Sequence, residues 1–176
     1  MKPKYAALMI LALLISAGSA FAQKVSVDFD KDADFTKYKK YAWAEGVPAK
    51  DPFAHKRIVD AVDAQLAAKG WTKVEPGDNP DAYVLYRAAV GEEKQVDVWG
   101  TGYGAGWRRG GMGTTQVTVE TILIGQLVVQ IGDAATKQVV WRGTASDTLS
   151  DKPEKNEKKI KKAAEKMFKS FPPAKK

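Results

Sequence analysis

The chain has 176 residues, no cysteine and a single histidine, with 28 Lys and Arg set against 21 Asp and Glu for a formal charge of +7. This excludes disulfides, thiolate metal sites and a Cys nucleophile, and it leaves no second His for a metal triad. The charge is local: ten Lys against Glu154, Glu157 and Glu165 give residues 152–176 a balance of +7, so once Lys2 and Lys4 are set aside Gln23–Asp151 carries −2, and the surplus gives no argument for a nucleic-acid-binding body.

Lys2 and Lys4 precede an apolar run from Tyr5 to Ala17 that is too short to span a bilayer comfortably. Ala20-Phe21-Ala22 then supplies the small-x-small pattern of a signal-peptidase site. Residues 1–22 are therefore expected to be a cleaved signal peptide, with a periplasmic mature protein beginning at Gln23 and carrying no lipidation Cys. Residues 23–176 have the size of one domain and enough length to bury a single core. No later stretch offers about 20 uninterrupted apolar residues, so the mature chain is expected to have no transmembrane segment.

Val25, Val27 and Phe29 alternate with Ser26, Asp28 and Asp30, the period of a half-buried strand whose apolar face looks inward. Lys31–Lys39 reads as a turn-like stretch, and Lys40–Ala44 as a second strand with Tyr41 and Trp43 on one side. Asp51-Pro52 opens a helix, with Asp51 as N-cap and Pro52 at the first helical position. Ile58, Ala61, Val62 and Leu66 form its apolar stripe, and Gly70 stops it after Lys69. Trp71–Val74 reads as a strand, Pro76–Pro80 as a turn cluster and Ala82–Val90 as a long strand.

The second half reads as antiparallel sheet. Val117, Val119, Thr121 and Leu123 alternate with Thr118, Glu120 and Ile122; Gly125 suggests a bulge or bend, and Leu127, Val129 and Ile131 resume the alternation. Asp133–Lys137 predicts a hairpin loop returning through Val139, Val140 and Trp141, with Trp141 as a core anchor. Pro153–Ser170 predicts a helix in which Ile160, Ala163, Ala164, Met167, Phe168 and Phe171 share one face, stopped by Pro172-Pro173. The fold class is thus α+β: a largely antiparallel twisted sheet with two amphipathic helices packed on one face.

The run VSVDFDKDADFTKYKKYAW at Val25–Trp43, the AKGW after the first helix, DAATKQVVWRGTASDTL at Asp133–Leu149 and the terminal helix ending in FPP occur in one order. Together they resemble the bacterial family numbered 4136 among domains of unknown function, over essentially the whole mature chain. The resemblance implies an envelope-associated α+β domain and brings no catalytic residues with it. Many members look like lipoproteins with Cys at the mature start, where this chain has Gln23.

Candidate sites are few. Asp28, Asp30, Asp32 and Asp34 recur at every second position, but a calcium loop begun at Asp28 has Ala33 where Gly is needed and Lys39 where a bidentate Glu is needed. Glu92 and Glu93 are adjacent, which does not make an acid/base pair. His55 lies at the edge of the first helix's stripe. No catalytic residue, cofactor or metal ligand is assigned. The segment 100–113, GTGYGAGWRRGGMG, has seven glycines in fourteen residues but neither a dinucleotide fingerprint nor a phosphate loop. It is a flexible excursion between strands or a recognition loop, and in the second reading Tyr103, Trp107, Arg108 and Arg109 are the partner-binding residues.

The function expected from these features is a non-catalytic periplasmic or envelope-associated binding or assembly module with an envelope component as partner. One alternative is a periplasmic enzyme with an unrecognised active site. The other is association with anionic lipid or lipopolysaccharide through the Lys-rich C-terminal helix, whose lysines otherwise form a solvated face.

Overall fold

The computed structural model describes residues 23–46, 48–100 and 115–173. In chain order these form β1 (Lys24–Phe29), a short 3-10 turn (Phe35–Lys37), β2 (Lys40–Trp43), α1 (Pro52–Ala68), β3 (Thr72–Lys73), β4 (Ala82–Gly100), β5 (Thr115–Asp133), β6 (Val139–Thr148) and α2 (Pro153–Phe168). The six strands make one open sheet in the order β1-β6-β5-β4-β2-β3. The β1–β6, β6–β5 and β5–β4 ladders are antiparallel, whereas β2 runs parallel to both β4 and β3. The fold is α+β with both helices on one face of the sheet.

Strand alternation decides which face the helices cover. Ala82, Val84 and Tyr86 of β4 align with Asp133, Ile131 and Val129 of β5, and Ile131 and Val129 align in turn with Trp141 and Gly143 of β6. These positions are buried. The helices supply Ile58, Ala61, Val62 and Leu66 from α1 and Ala163, Ala164, Met167 and Phe168 from α2. Phe171, three residues past the end of α2, stacks edge-on against Trp71, Trp141, Phe168 and Phe35 with ring centroids 5.3–5.9 Å apart. Such edge-to-face pairs add to the area term of burial and fix the angle at which α2 meets the sheet. The opposite face carries Lys24, Ser26, Asp28, Arg142 and Thr144, and no helix among the described residues covers it.

Local signals explain the element ends. Asp51 Oδ1 accepts from Phe53 N at 2.9 Å at the start of α1, and Gly70 takes the left-handed conformation (φ 80°) past its end. Asn156 ties the chain before α2, its Oδ1 accepting from Ser150 N and its Nδ2 donating to Ser150 O.

Four expectations are corrected. Gly125 is not a bulge: it lies in the ladder between Val90 and Asp147, and the register shift falls at Ile131/Gly132 instead. The strand expected at Trp71–Val74 is only Thr72–Lys73, because Trp71 is drawn into the core. The strand expected to end at Val90 continues to Gly100, held by β5 alone. In β1 the apolar face does point to the helix side, but as an edge strand it leaves Val27 and Phe29 partly exposed, with only Val25 half-buried on the core.

Candidate functional site

The most unusual feature of the fold is the outer part of the β4–β5 hairpin. β2 pairs β4 only as far as Val84, and β6 pairs β5 only from Ile124 onward. From Glu92↔Leu123 to Gly100↔Thr115 the two strands therefore have only each other as ladder partners, and they project as a ribbon on the order of 30 Å long at the usual rise of a strand. A two-stranded ribbon is marginal alone in water; this one is held because its inner ends are central strands of the sheet.

The ribbon's surface is not uniformly polar. Glu92, Glu93 and Lys94 are exposed, as are Val90 (62%), Val119 (56%) and Leu123 (43%). The ladder places Val90, Leu123 and Val119 on the same side as Leu127 and Ala88, so apolar residues recur outward along β5 from the helix-covered core, with Thr121 between them and Glu92 and Lys94 beside them on β4. Both long edges carry backbone groups without a strand neighbour, which is the geometry used in strand-addition recognition. At the tip, Gly100 and Thr115 flank the glycine-rich segment. Tyr103, Trp107, Arg108 and Arg109 lie outside the described residues.

The remaining polar clusters are built as anchors. Asp133 is buried, with its Oδ2 accepting from Lys37 Nζ at 2.5 Å and from the Tyr38 hydroxyl at 2.8 Å, and its Oδ1 from Ala135 N and Thr136 N at 2.8 Å each. The Lys37 hydrogen bond, followed by the Thr136 amide, holds its carboxyl far below the usual carboxylate range. Burial, reinforced by Asp133, pushes the Tyr38 hydroxyl up to about 12. Asp63 on α1 takes Tyr41 Oη and Trp43 Nε1 on one oxygen, at 2.8 Å each, and Lys73 Nζ on the other at 3.0 Å. Asp81 Oδ2 accepts from Lys39 N and Lys40 N at 2.8 Å each, and these backbone bonds lower its pKa.

Sequence reasoning missed all three of these aspartates. Only Asp133, at a hairpin corner, carried a local signal.

His55 stays exposed, with its Nδ1 2.5 Å from the Tyr86 hydroxyl, which accepts from Ala49 N at 3.1 Å. This fixes the loop before α1 against β4. Asp28, Asp30 and Asp34 accept from the backbone N–H groups of Phe29, Asp32 and Thr36. Among the described residues, no three His, Asp or Glu side chains gather as a metal-ligand group. Glu92 and Glu93 point to opposite sides of the ribbon, as neighbours on a strand must.

On α2, Lys161 pairs with Glu157 at 2.8 Å and Lys159 with Asp147 at 2.9 Å. Lys155, Lys158, Lys162 and Lys166 are exposed and make no ion pair among the described residues. No described helix is long and apolar enough to cross a membrane.

Solved structures share the architecture. A PDZ domain protein from Parabacteroides distasonis superposes with a TM-score of 0.57 at 15% identity, over 88% of this chain and 37% of that one; the chain thus spans little more than a third of that protein. A DUF4136 family protein from Bacteroides thetaiotaomicron superposes with a TM-score of 0.52 at 12% identity, over 85% of this chain and 96% of the other. PelC from Paraburkholderia phytofirmans, a dodecamer, gives 0.46 at 15% identity, over 81% and 95%. No curated protein matches by sequence. Residues 25–173 match the family described as a domain of unknown function, DUF4136, and the chain belongs to that family.

Proposed function

We propose that the protein is a non-catalytic binding and assembly module of the bacterial cell envelope, acting in the periplasm after removal of residues 1–22. The observation that carries this reading is the β4–β5 ribbon, which leaves the sheet with exposed Val90, Val119 and Leu123 and two unpaired edges. A fold whose purpose was only to close its own core would not need those residues. Monomeric proteins generally keep such edges short or covered, so a long one is a surface for a partner. The partner is an envelope component that meets the ribbon, with Tyr103, Trp107, Arg108 and Arg109 as the contacts at its tip. The Lys-rich face of α2 is read as solvated.

The test is a shortened hairpin in which residues 93–122 are replaced by Asn-Gly, a pair suited to a two-residue turn. This variant is expected to keep the thermal transition of the wild type and to lose crosslinks that the full chain forms in the native envelope. Retention of every wild-type crosslink would overturn the reading. Mass spectrometry of the protein from its native host is expected to show a chain starting at Gln23, and an intact Met1 terminus would remove the periplasmic part of the proposal.

A further inference from the structure

Where the ribbon leaves the sheet, the two helices do not close completely over it. A cleft of about 450 Å³ opens between the N-terminal halves of α1 and α2 and the strands beneath. That size falls within the range of roughly 300–1,000 Å³ typical of small-molecule sites. Its walls are small and apolar. Ala54 and Ile58 come from α1, Ala88 from β4, Leu127 from β5, Ala145 from β6, and Ile160 and Ala163 from α2. The contrast with the other end of the molecule is clear: there Tyr38, Trp71, Trp141, Phe168 and Phe171 fill the same gap between helices and sheet. The cavity exists because alanines stand where aromatic rings stand elsewhere.

Two features narrow what could occupy it. The first is shape. Val90 and Gly125 line the outer wall, and Leu123 follows directly beyond them on the same face of β5. An apolar cleft that extends outward past Val90 toward Leu123 suits a long, narrow aliphatic chain rather than a compact ring.

The second feature is charge at the rim. Lys50, Arg57 and Lys159 line the cleft together with Asp51 and Asp147. Asp51 caps α1 through a backbone amide, and Asp147 is ion-paired with Lys159. Lys50 has no ion-pair partner among the described residues. Arg57 meets Glu157 through Nε at 3.4 Å, which leaves its terminal nitrogens available. The lining thus carries three cations against two acids, a surplus of one positive charge, and a guanidinium with open N–H groups suits an oxyanion.

We propose that this cleft binds a free single-chain amphiphile, with the aliphatic chain between α1, α2 and the sheet and an anionic head group at Lys50 and Arg57. This site is separate from the ribbon tip and stands without the assembly reading.

The probe is dodecanoate, titrated against the full mature chain and read by displacement of a dansylated undecanoate and by the thermal midpoint. Wild type is expected to bind one equivalent saturably, with a rise in midpoint that follows ligand concentration. Ala54→Leu with Ala88→Leu fills the cleft. This variant is expected to melt at or above the wild-type temperature while binding dodecanoate at least about tenfold more weakly. Lys50→Gln with Arg57→Gln leaves the walls intact; it is expected to weaken dodecanoate about fivefold or more and to leave dodecanol unchanged.

No saturable binding by wild type overturns the proposal, as does full affinity in the filled variant. If the filled variant does not fold, the comparison of dodecanoate with dodecanol in the rim variant decides, and an equal loss for both ligands overturns the head-group assignment. Retention on phosphatidylglycerol vesicles without binding of monomeric dodecanoate overturns the proposal in favour of a membrane surface.

Discussion

The Tyr38 hydroxyl donates to Asp133 Oδ2 at 2.8 Å, joining the turn after β1 to the hairpin between β5 and β6. Asp133 is the buried acid on which four donors converge, so its removal strands several of them at once. Asp133→Ala is expected to lower stability by about 3 kcal/mol, because a buried hydroxyl and two backbone amides lose their acceptor. Urea denaturation at neutral pH measures this directly.

The same carboxylate sets an acid limit. Its folded-state pKa lies well below the ordinary value, so the folded state holds the anion more firmly than the unfolded chain does. The resulting stability is complete above the unfolded pKa and is lost as pH falls below it. The stability gap between wild type and Asp133→Asn is therefore expected to narrow between about pH 5 and pH 2. A gap constant across that range would show that the charge contributes nothing.

At the alkaline end the sign reverses. Burial raises the Tyr38 pKa from 10.0 to about 12, and Tyr41 is raised as well, by burial and by its bond to Asp63. The folded state favours the neutral phenols, so stability is expected to hold up to about pH 10 and to fall toward pH 12. Tyr38→Phe should flatten part of that fall. Denaturation series in parallel with tyrosinate absorbance check both statements.

Asp63 offers a test of helix docking. One of its oxygens serves Tyr41 and Trp43 on β2, and the other serves Lys73 on β3. Asp63→Ala is expected to cost about 2 kcal/mol, mostly from the two aromatic donors left without an acceptor. Asp63→Asn, which keeps an acceptor for them, should recover much of this loss. Equal losses in both variants would mean that the Lys73 ion pair dominates.

Two glycines in strands should behave oppositely. A Cβ on Gly143 would lie 2.6 Å from the Trp141 ring and 2.8 Å from the Met167 sulfur, whereas one on Gly91 would meet nothing within 4 Å. Gly143→Ala is expected to destabilise by about 1–3 kcal/mol through overpacking beneath α2. Gly91→Ala should be neutral or slightly stabilising, since alanine loses less backbone freedom on folding. Thermal denaturation of the two variants side by side is sufficient.

Much of the framework was legible in the sequence because its signals were local. Asp51-Pro52, Gly70, the stripe from Ile58 to Leu66 and the amphipathic pattern of α2 each specify their own element. The strands were legible where period-two alternation met the core. The length of β4 was not, because Gly91–Lys94 carries no core-facing pattern and owes its strand geometry to pairing with β5. Gly125 misled for the related reason that a glycine in a strand can mark a bulge or simply a close neighbour, here Leu149 at 2.8 Å from a Cβ. The aspartate anchors were invisible because Tyr38 and Asp133, or Tyr41 and Asp63, meet only after the chain folds.

β4 is one continuous strand in geometry and two in thermodynamics. Around Val84 its amides lie between β5 and β2 beneath packed helices, and releasing them requires the sheet to come apart. A few residues on, at Gly91–Lys94, one ladder alone separates the backbone from water. Exchange of amide protons with deuterium should therefore quicken along a single strand, with β5 mirroring the gradient from Val129 back to Thr118. The ribbon can open and reclose many times while its root stays closed, so a contact made at its far end is formed against local stability rather than that of the whole fold.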